Sequence, residues 1–211
     1  MPILRHTILC AAFACVATSV QAQTDTAALA AYNGVYRLEG KGAFTFVAQD
    51  GQLYGRLTGQ PFMPLTAAAP DVFTFPGAGA EFTFTREQGK VAAVTLRQRG
   101  AVLEGQRTGK APPAQAMDPA VTQEAFGGAY VSAMPPLNFS VQARAGQLTV
   151  KLNEQPALPV FAMEGRTDRF AYDVVTAEMQ FERDAGGKVT GLVLYQNGQV
   201  LRAARQVHAA P

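Results

Sequence analysis

The chain has 211 residues, 48% of them hydrophobic, with 18 basic against 16 acidic side chains, a formal charge of +2 and a mean hydropathy of +0.02. The charges are scattered singly and nearly cancel, which leaves no electrostatic footprint for nucleic acid or for an anionic membrane surface.

The first segment, MPILRHTILCAAFACVATSVQAQ, has basic Arg5 and His6, an apolar stretch from Ile8 to Val16, and small-residue cleavage chemistry at Val20-Gln21-Ala22. This pattern predicts a secretory signal peptide over residues 1–22. Its apolar run is too short to span a bilayer, and no later window holds the roughly 18 apolar residues that spanning requires. The expected product is periplasmic or secreted. Lipid acylation at Cys15 is disfavoured by Phe13, which stands where a small residue is wanted. Cys10 and Cys15 are the only cysteines and leave with the leader, so stability is expected to come from packing without disulfides. The remaining 189 residues carry 17 basic and 16 acidic side chains.

Residues 24–32 read as weakly helical. From Tyr32 to Arg107 apolar and polar residues alternate, as in Phe44-Thr45-Phe46, Leu53 to Leu57, Phe73-Thr74-Phe75, Phe82-Thr83-Phe84 and Val94-Thr95-Leu96. A period of two belongs to half-buried strands. Asp50-Gly51, Gln88-Gly89 and Arg99-Gly100 place glycine where tight turns need positive φ. Gln60-Pro61 and its counterpart Gln155-Pro156 mark a strand edge or bend. TGKAPPAQAMDPAVTQ, residues 108–123, has three prolines and no apolar periodicity, which predicts an exposed linker.

The alternation then resumes, and with it the same words. Gly34 and Tyr36 return as Gly128 and Tyr130; Gly51, Gln52, Leu53, Gln60 and Pro61 as Gly146, Gln147, Leu148, Gln155 and Pro156. Asp71, Phe73, Glu81, Phe84 and Arg86 return as Asp168, Phe170, Glu178, Phe181 and Arg183, and Lys90, Val91, Leu96 and Gln98 as Lys188, Val189, Leu194 and Gln196. The spacing drifts from 94 to 98 residues, each step falling between apolar runs where an added residue only lengthens a loop. Residues 32–107 and 124–206 are therefore expected to be two copies of one unit of about eight strands. Eight antiparallel strands joined by tight turns leave two raw edges unless first meets last. The predicted fold is all-β: two tandem small antiparallel eight-stranded lipocalin-like barrels. A unit this small buries only about 60% of its unfolded surface, so the two barrels are expected to pack against each other.

The ordered words Gly-x-Tyr, Gly-Gln-Leu with Gln-Pro-x-x-Pro, Asp-x-Phe, Glu-x-x-Phe-x-Arg, Gly-Lys-Val and Gln-x-Gly resemble the uncharacterised lipocalin-like domain appended to many serine beta-lactamase-like and penicillin-binding-protein-like hydrolases. The resemblance covers both copies and implies a barrel that accompanies a catalytic domain, which this sequence does not contain. Relatives often place His beside the last glutamine, where this chain has Arg97 and Tyr195.

Little chemistry remains available. After the leader the serines are Ser132 and Ser140, and neither begins Ser-x-x-Lys nor sits in Gly-x-Ser-x-Gly. His208, near the C-terminus, is the sole histidine after the leader, so histidine triads and His/Cys zinc sites lack their parts, and no cofactor or metal is expected. The repeated carboxylates Asp71/Asp168 and Glu81/Glu178 would suit acid–base work on a glycoside, but their positions at strand openings suit a structural role.

Parity picks out the candidate ligand-binding residues, because residues two apart share a strand face. Phe82, Phe84 and Arg86 share one, as do Met179, Phe181 and Arg183; Val94, Leu96 and Gln98 share another, matched by Leu192, Leu194 and Gln196. Arg86 and Arg183 are thus expected at one barrel mouth and Gln98 and Gln196 at the opposite one. Each arginine either orients an anionic ligand or pairs with a nearby carboxylate. Tyr36 and Tyr130 either touch a ligand or are core rings with the hydroxyl bonded at the rim. The leading expectation is a non-catalytic accessory or interaction module of the cell envelope that binds a protein or peptide. The alternatives are a carrier of a small apolar or anionic molecule and, behind it, a carboxylate-based hydrolase.

Overall fold

The computed structural model describes residues 26–40 and 42–206; the leader with Cys10 and Cys15, and His208, lie outside them. Sixteen strands form two closed antiparallel barrels. The first comprises β1 (Gly34–Leu38), β2 (Gly42–Gln49), β3 (Gln52–Leu57), β4 (Met63–Ala69), β5 (Val72–Phe75), β6 (Ala80–Glu87), β7 (Lys90–Gln98) and β8 (Ala101–Arg107). The second comprises β9 (Gly128–Ala133), β10 (Pro136–Arg144), β11 (Gln147–Leu152), β12 (Leu158–Ala162), β13 (Arg169–Ala171), β14 (Ala177–Arg183), β15 (Val189–Gln196) and β16 (Gln199–Arg205). Each is an up-and-down meander in which every strand pairs with its sequence neighbours and the last returns to the first, Tyr36 opposite Arg107 and Tyr130 opposite Arg205. Closure gives the backbone polar groups of both outer strands a partner.

The turn dipeptides do what their chemistry requires. Asp50-Gly51, Gln88-Gly89, Arg99-Gly100, Ala145-Gly146 and Asn197-Gly198 all have positive φ at both residues, the conformation whose twist matches that of the flanking strands. Inside, each barrel is packed with side chains: Tyr36, Phe46 and Val94 are fully buried in the first, Tyr130, Met179 and Leu192 in the second. The aromatic rings of the first barrel meet edge to face, Phe46 and Phe84 with centroids 4.9 Å apart and Phe44 and Phe82 5.6 Å apart.

A short helical plug closes one end of each barrel. In the first it is α1 (Thr26–Leu29) running into a 3-10 turn at Ala30–Tyr32, within the stretch that reads as helical in the sequence. In the second it is α2 (Gln123–Phe126), which the sequence pattern does not reveal because one helical turn shows no period. Thr122 caps α2, its hydroxyl accepting from the Ala125 amide. Tyr32 and Phe126 are equivalent stoppers: Tyr32 packs on Phe73 and Phe84, Phe126 on Phe170 and Phe181.

The segment between the barrels is largely exposed, as its prolines lead one to expect, but two of its residues are buried. These are Ala116 and Val121: Val121 joins the core of the second barrel, and beside Ala116 the Gln49 side chain accepts from the amides of Ala116 and Met117 and donates to the Met117 carbonyl. A side-chain amide thereby does for Ala116 and Met117 what a strand partner would. No helix among the described residues is long and apolar enough to cross a membrane.

Candidate functional site

The repeated arginines sit at equivalent mouths, beside the plugs. The aspartate that precedes β5 or β13 adopts positive φ, 59° at Asp71 and 55° at Asp168, a conformation that Asp tolerates better than most residues. There each carboxylate meets the arginine fork. Arg86 Nε and Nη2 donate to Asp71 at 3.0 and 2.8 Å, and Nη1 donates to the Gly89 carbonyl. Arg183 Nε and Nη2 donate to Asp168 at 2.6 and 2.8 Å, and Nη1 to the Gly187 carbonyl. The Arg86 hydrogen bonds hold the Asp71 carboxyl below its ordinary value, and Asp168 raises the Arg183 guanidinium. Each guanidinium also lies over its plug ring, 5.5 Å from Tyr32 and 5.2 Å from Phe126.

Tyr36 and Tyr130 are fully buried rings whose hydroxyls donate to the plug carbonyls of Tyr32 and Phe126, at 2.9 and 2.6 Å. Burial pushes both phenols up to about 12. A second arginine pair, at the last residue of β8 and of β16, completes the arrangement: Arg107 donates to the carbonyls of Ala31, Asn33 and Val91, Arg205 to those of Glu124, Ala125, Gly127 and Val189. This pair repeats at the same 98-residue spacing as Gln98 and Gln196, so the repeat comparison held the signal.

At the opposite mouths the copies part. Gln98 Nε2 donates to the Ala78 carbonyl at 3.1 Å, fastening the 3-10 turn Pro76–Ala78 to β7, whereas Gln196 is half-buried and lines a shallow outer recess with Tyr195 and Arg169. Glu81 faces outward and is exposed; Glu178 pairs with Arg169 at 2.6 Å. Among the described residues no group of three or more His, Cys, Asp or Glu is placed to hold a metal ion.

The seam between the barrels is the feature that repeat reasoning does not reach. On β2 four successive residues, Phe44 to Val47, are buried: Phe44 and Phe46 point into the barrel, and Val47 turns outward to meet Phe62 and Ala116. Arg56 projects from β3 into the same seam. Its guanidinium carbon lies 3.7 Å from the Phe161 ring centroid and 5.1 Å from that of Phe62, while Nη1 donates to Asp173 Oδ2, which also accepts from the Gly59 amide at 3.3 Å. Desolvation lowers the Arg56 pKa, and the neighbouring Asp173 opposes that shift. Arg56 Nε and Asp173 Oδ1 are buried with no hydrogen-bond partner among the described residues. The Gln147 side chain clasps Phe62, accepting from its amide at 2.6 Å and donating to its carbonyl at 3.0 Å. Beside this lock runs a cleft of about 680 Å³, walled by Val35, Thr45 and Thr58 of the first barrel, Lys110–Pro113 of the connector, and Met163, Val174 and Val175 of the second barrel.

Residues 18–110 match the family model of a domain of unknown function, DUF3471. The match spans the first barrel and its plug, under half of the chain. A comparison with curated proteins gives no match.

Proposed function

We propose that this protein is an exported, non-catalytic interaction module of the cell envelope, and that its binding surface is the cleft between the barrels, occupied by an extended segment of an envelope protein. The observation that carries this reading is that the cleft is jointly built. Neither barrel makes it alone, and its walls combine exposed Val174 and Val175 with the main chain of a proline-rich connector. An extended peptide suits such walls, having main-chain groups for the connector and side chains for the valines. The repeated arginines and tyrosines, in contrast, are engaged by their own barrel, which favours a structural role for them over anion capture. The resemblance to domains appended to beta-lactamase-like and penicillin-binding-protein-like hydrolases supports an accessory role.

The test is affinity capture from the exported fraction of the host, comparing the native chain with Val174→Glu combined with Val175→Glu. The expected result is a captured envelope protein that the double variant loses at unchanged melting temperature; capture that survives the variant overturns the cleft. Arg86→Ala combined with Arg183→Ala is expected to lower the melting temperature and leave capture intact. Loss of capture at unchanged stability would instead make the arginines ligand contacts.

A further inference from the structure

We infer that the open mouth of the first barrel is a binding site for a small, uncharged, mainly aromatic molecule carrying one hydrogen-bond donor. This site is independent of the inter-barrel cleft. The barrel is filled through most of its depth, but at the Gln98 end it opens into a cavity of about 290 Å³. Strands all around the barrel contribute to it: Phe44 from β2, Leu57 from β3, Met63 from β4, Phe75 from β5, Phe82 from β6 and Leu103 from β8.

Three features define the occupant. The cavity lies at the low end of the volumes that hold small ligands, which limits the guest to two or three rings. Its walls offer three aromatic rings and a thioether; among the described residues the one charged side chain that lines it, Arg56, sends its guanidinium to Asp173 and Phe161 in the seam. An ionised guest would therefore lose its hydration without a counter-charge. Finally, Gln98 lines the cavity and commits Nε2 to the Ala78 carbonyl, so the group it can offer a guest is the acceptor Oε1.

The second barrel shows which residues make the opening. Opposite Phe46 on the neighbouring strand stands Gly55, where an added Cβ would fall 2.8 Å from the Phe46 ring; the second barrel has Val150 there. The position of Phe75 is taken by Tyr172 and that of Ala78 by Val175. Smaller groups in the wall and lip leave the first mouth open.

N-phenyl-1-naphthylamine, a neutral aromatic amine with a single N–H, is the probe. Its fluorescence should rise and shift to the blue on titration with the full exported chain, saturating at one equivalent with micromolar affinity. Ala78→Phe is expected to weaken binding at least tenfold and Gln98→Leu several-fold, with Gln196→Leu, the change in the second barrel that matches Gln98→Leu, leaving it unchanged. Should the variants fold poorly, the methyl resonance of Met63 in the native chain reads the same site, and it should shift on probe addition while that of Met179 stays fixed. Absence of saturable binding, equal sensitivity to Gln196→Leu, or a probe-induced shift at Met179 without one at Met63 would each overturn the assignment.

Discussion

Where Phe46 faces Gly55 across the β2–β3 ladder of the first barrel, Val141 faces Val150 across β10–β11 of the second. The two pairs carry nearly the same number of side-chain carbons, distributed as one ring and nothing in one barrel and as two branched groups in the other. A second exchange runs in parallel: Val94 opposite Gly105 becomes Leu192 opposite Ala203, while Phe82 becomes Met179. The frame of turns, plug and Arg–Asp fork is held constant, and the filling varies while its summed bulk is nearly kept, within a facing pair in the first exchange and over three positions in the second. What the barrels do not share is where they meet. Arg56, Phe62, Phe161 and Asp173 correspond to Lys151, Ala157, Thr66 and Pro76 in the other copy, so the seam consists of residues that the repeat does not prescribe.

The largest expected effect comes from breaking that seam. Asp173→Ala leaves the Arg56 cation buried without its counter-charge and should cost about 3–5 kcal/mol, read as a lower urea midpoint. The variant should also unfold in two steps, because the seam couples the barrels. Next is the filling. Gly55→Val forces a branched side chain against Phe46 and should destabilise by about 1–3 kcal/mol. Phe46→Val alone leaves a void and should cost about 2 kcal/mol or more. The double variant, which copies the second barrel, should recover at least about 1 kcal/mol relative to the sum of the two. Additive losses would mean that the pairs do not compensate.

A smaller difference lies at the plugs. The Tyr32 hydroxyl donates to Asp71 at 2.8 Å, and Phe126 has no counterpart to it. Tyr32→Phe should cost about 1 kcal/mol, and Phe126→Tyr should recover a similar amount by meeting Asp168. The smallest effect concerns the exposed Arg86–Asp71 fork. Because the folded state holds Asp71 below its ordinary 3.8, this carboxylate contributes stability at pH values above 3.8, and the contribution is lost as pH falls through the lower folded value. The stability difference between the native chain and Asp71→Asn should therefore be present at pH 7 and shrink below pH 3.8. At the alkaline end the sign reverses in form: Tyr36, Tyr130 and Tyr172 are raised from 10.0 to about 12. Their neutral forms contribute fully below pH 10.0 and cease to as pH climbs through about 12, so tyrosinate absorbance should rise together with unfolding.

The barrels were legible in the residues because their causes are local. Alternation at period two sorts Phe82 and Phe84 inward from Thr83, and a glycine after Asp50 or Asn197 specifies a turn within four residues. The closing β8–β1 pair followed from the cost of raw edges. The expected mouths for Arg86 and Gln98 were also readable, since parity and strand direction suffice. The seam was hidden because burial of an outward position depends on a segment about a hundred residues away. Val47 and Arg56 show no local sign of it, and neither does the burial of Ala116 within the otherwise largely exposed 108–123, where Gln49 captures the backbone from another part of the chain. The Gln98/Gln196 asymmetry was equally out of reach, as it depends on what fills the neighbouring positions and not on the glutamines.

Because β1 lies against β8, the chain enters and leaves the first barrel side by side, with the Thr108 amide bonded to the Val35 carbonyl at 2.8 Å; the Gln206 amide meets the Ala129 carbonyl in the same way in the second. A module whose two ends emerge together is like a bead with a single eyelet. It can be threaded onto a host polypeptide, or strung after a copy of itself, without stretching either neighbour.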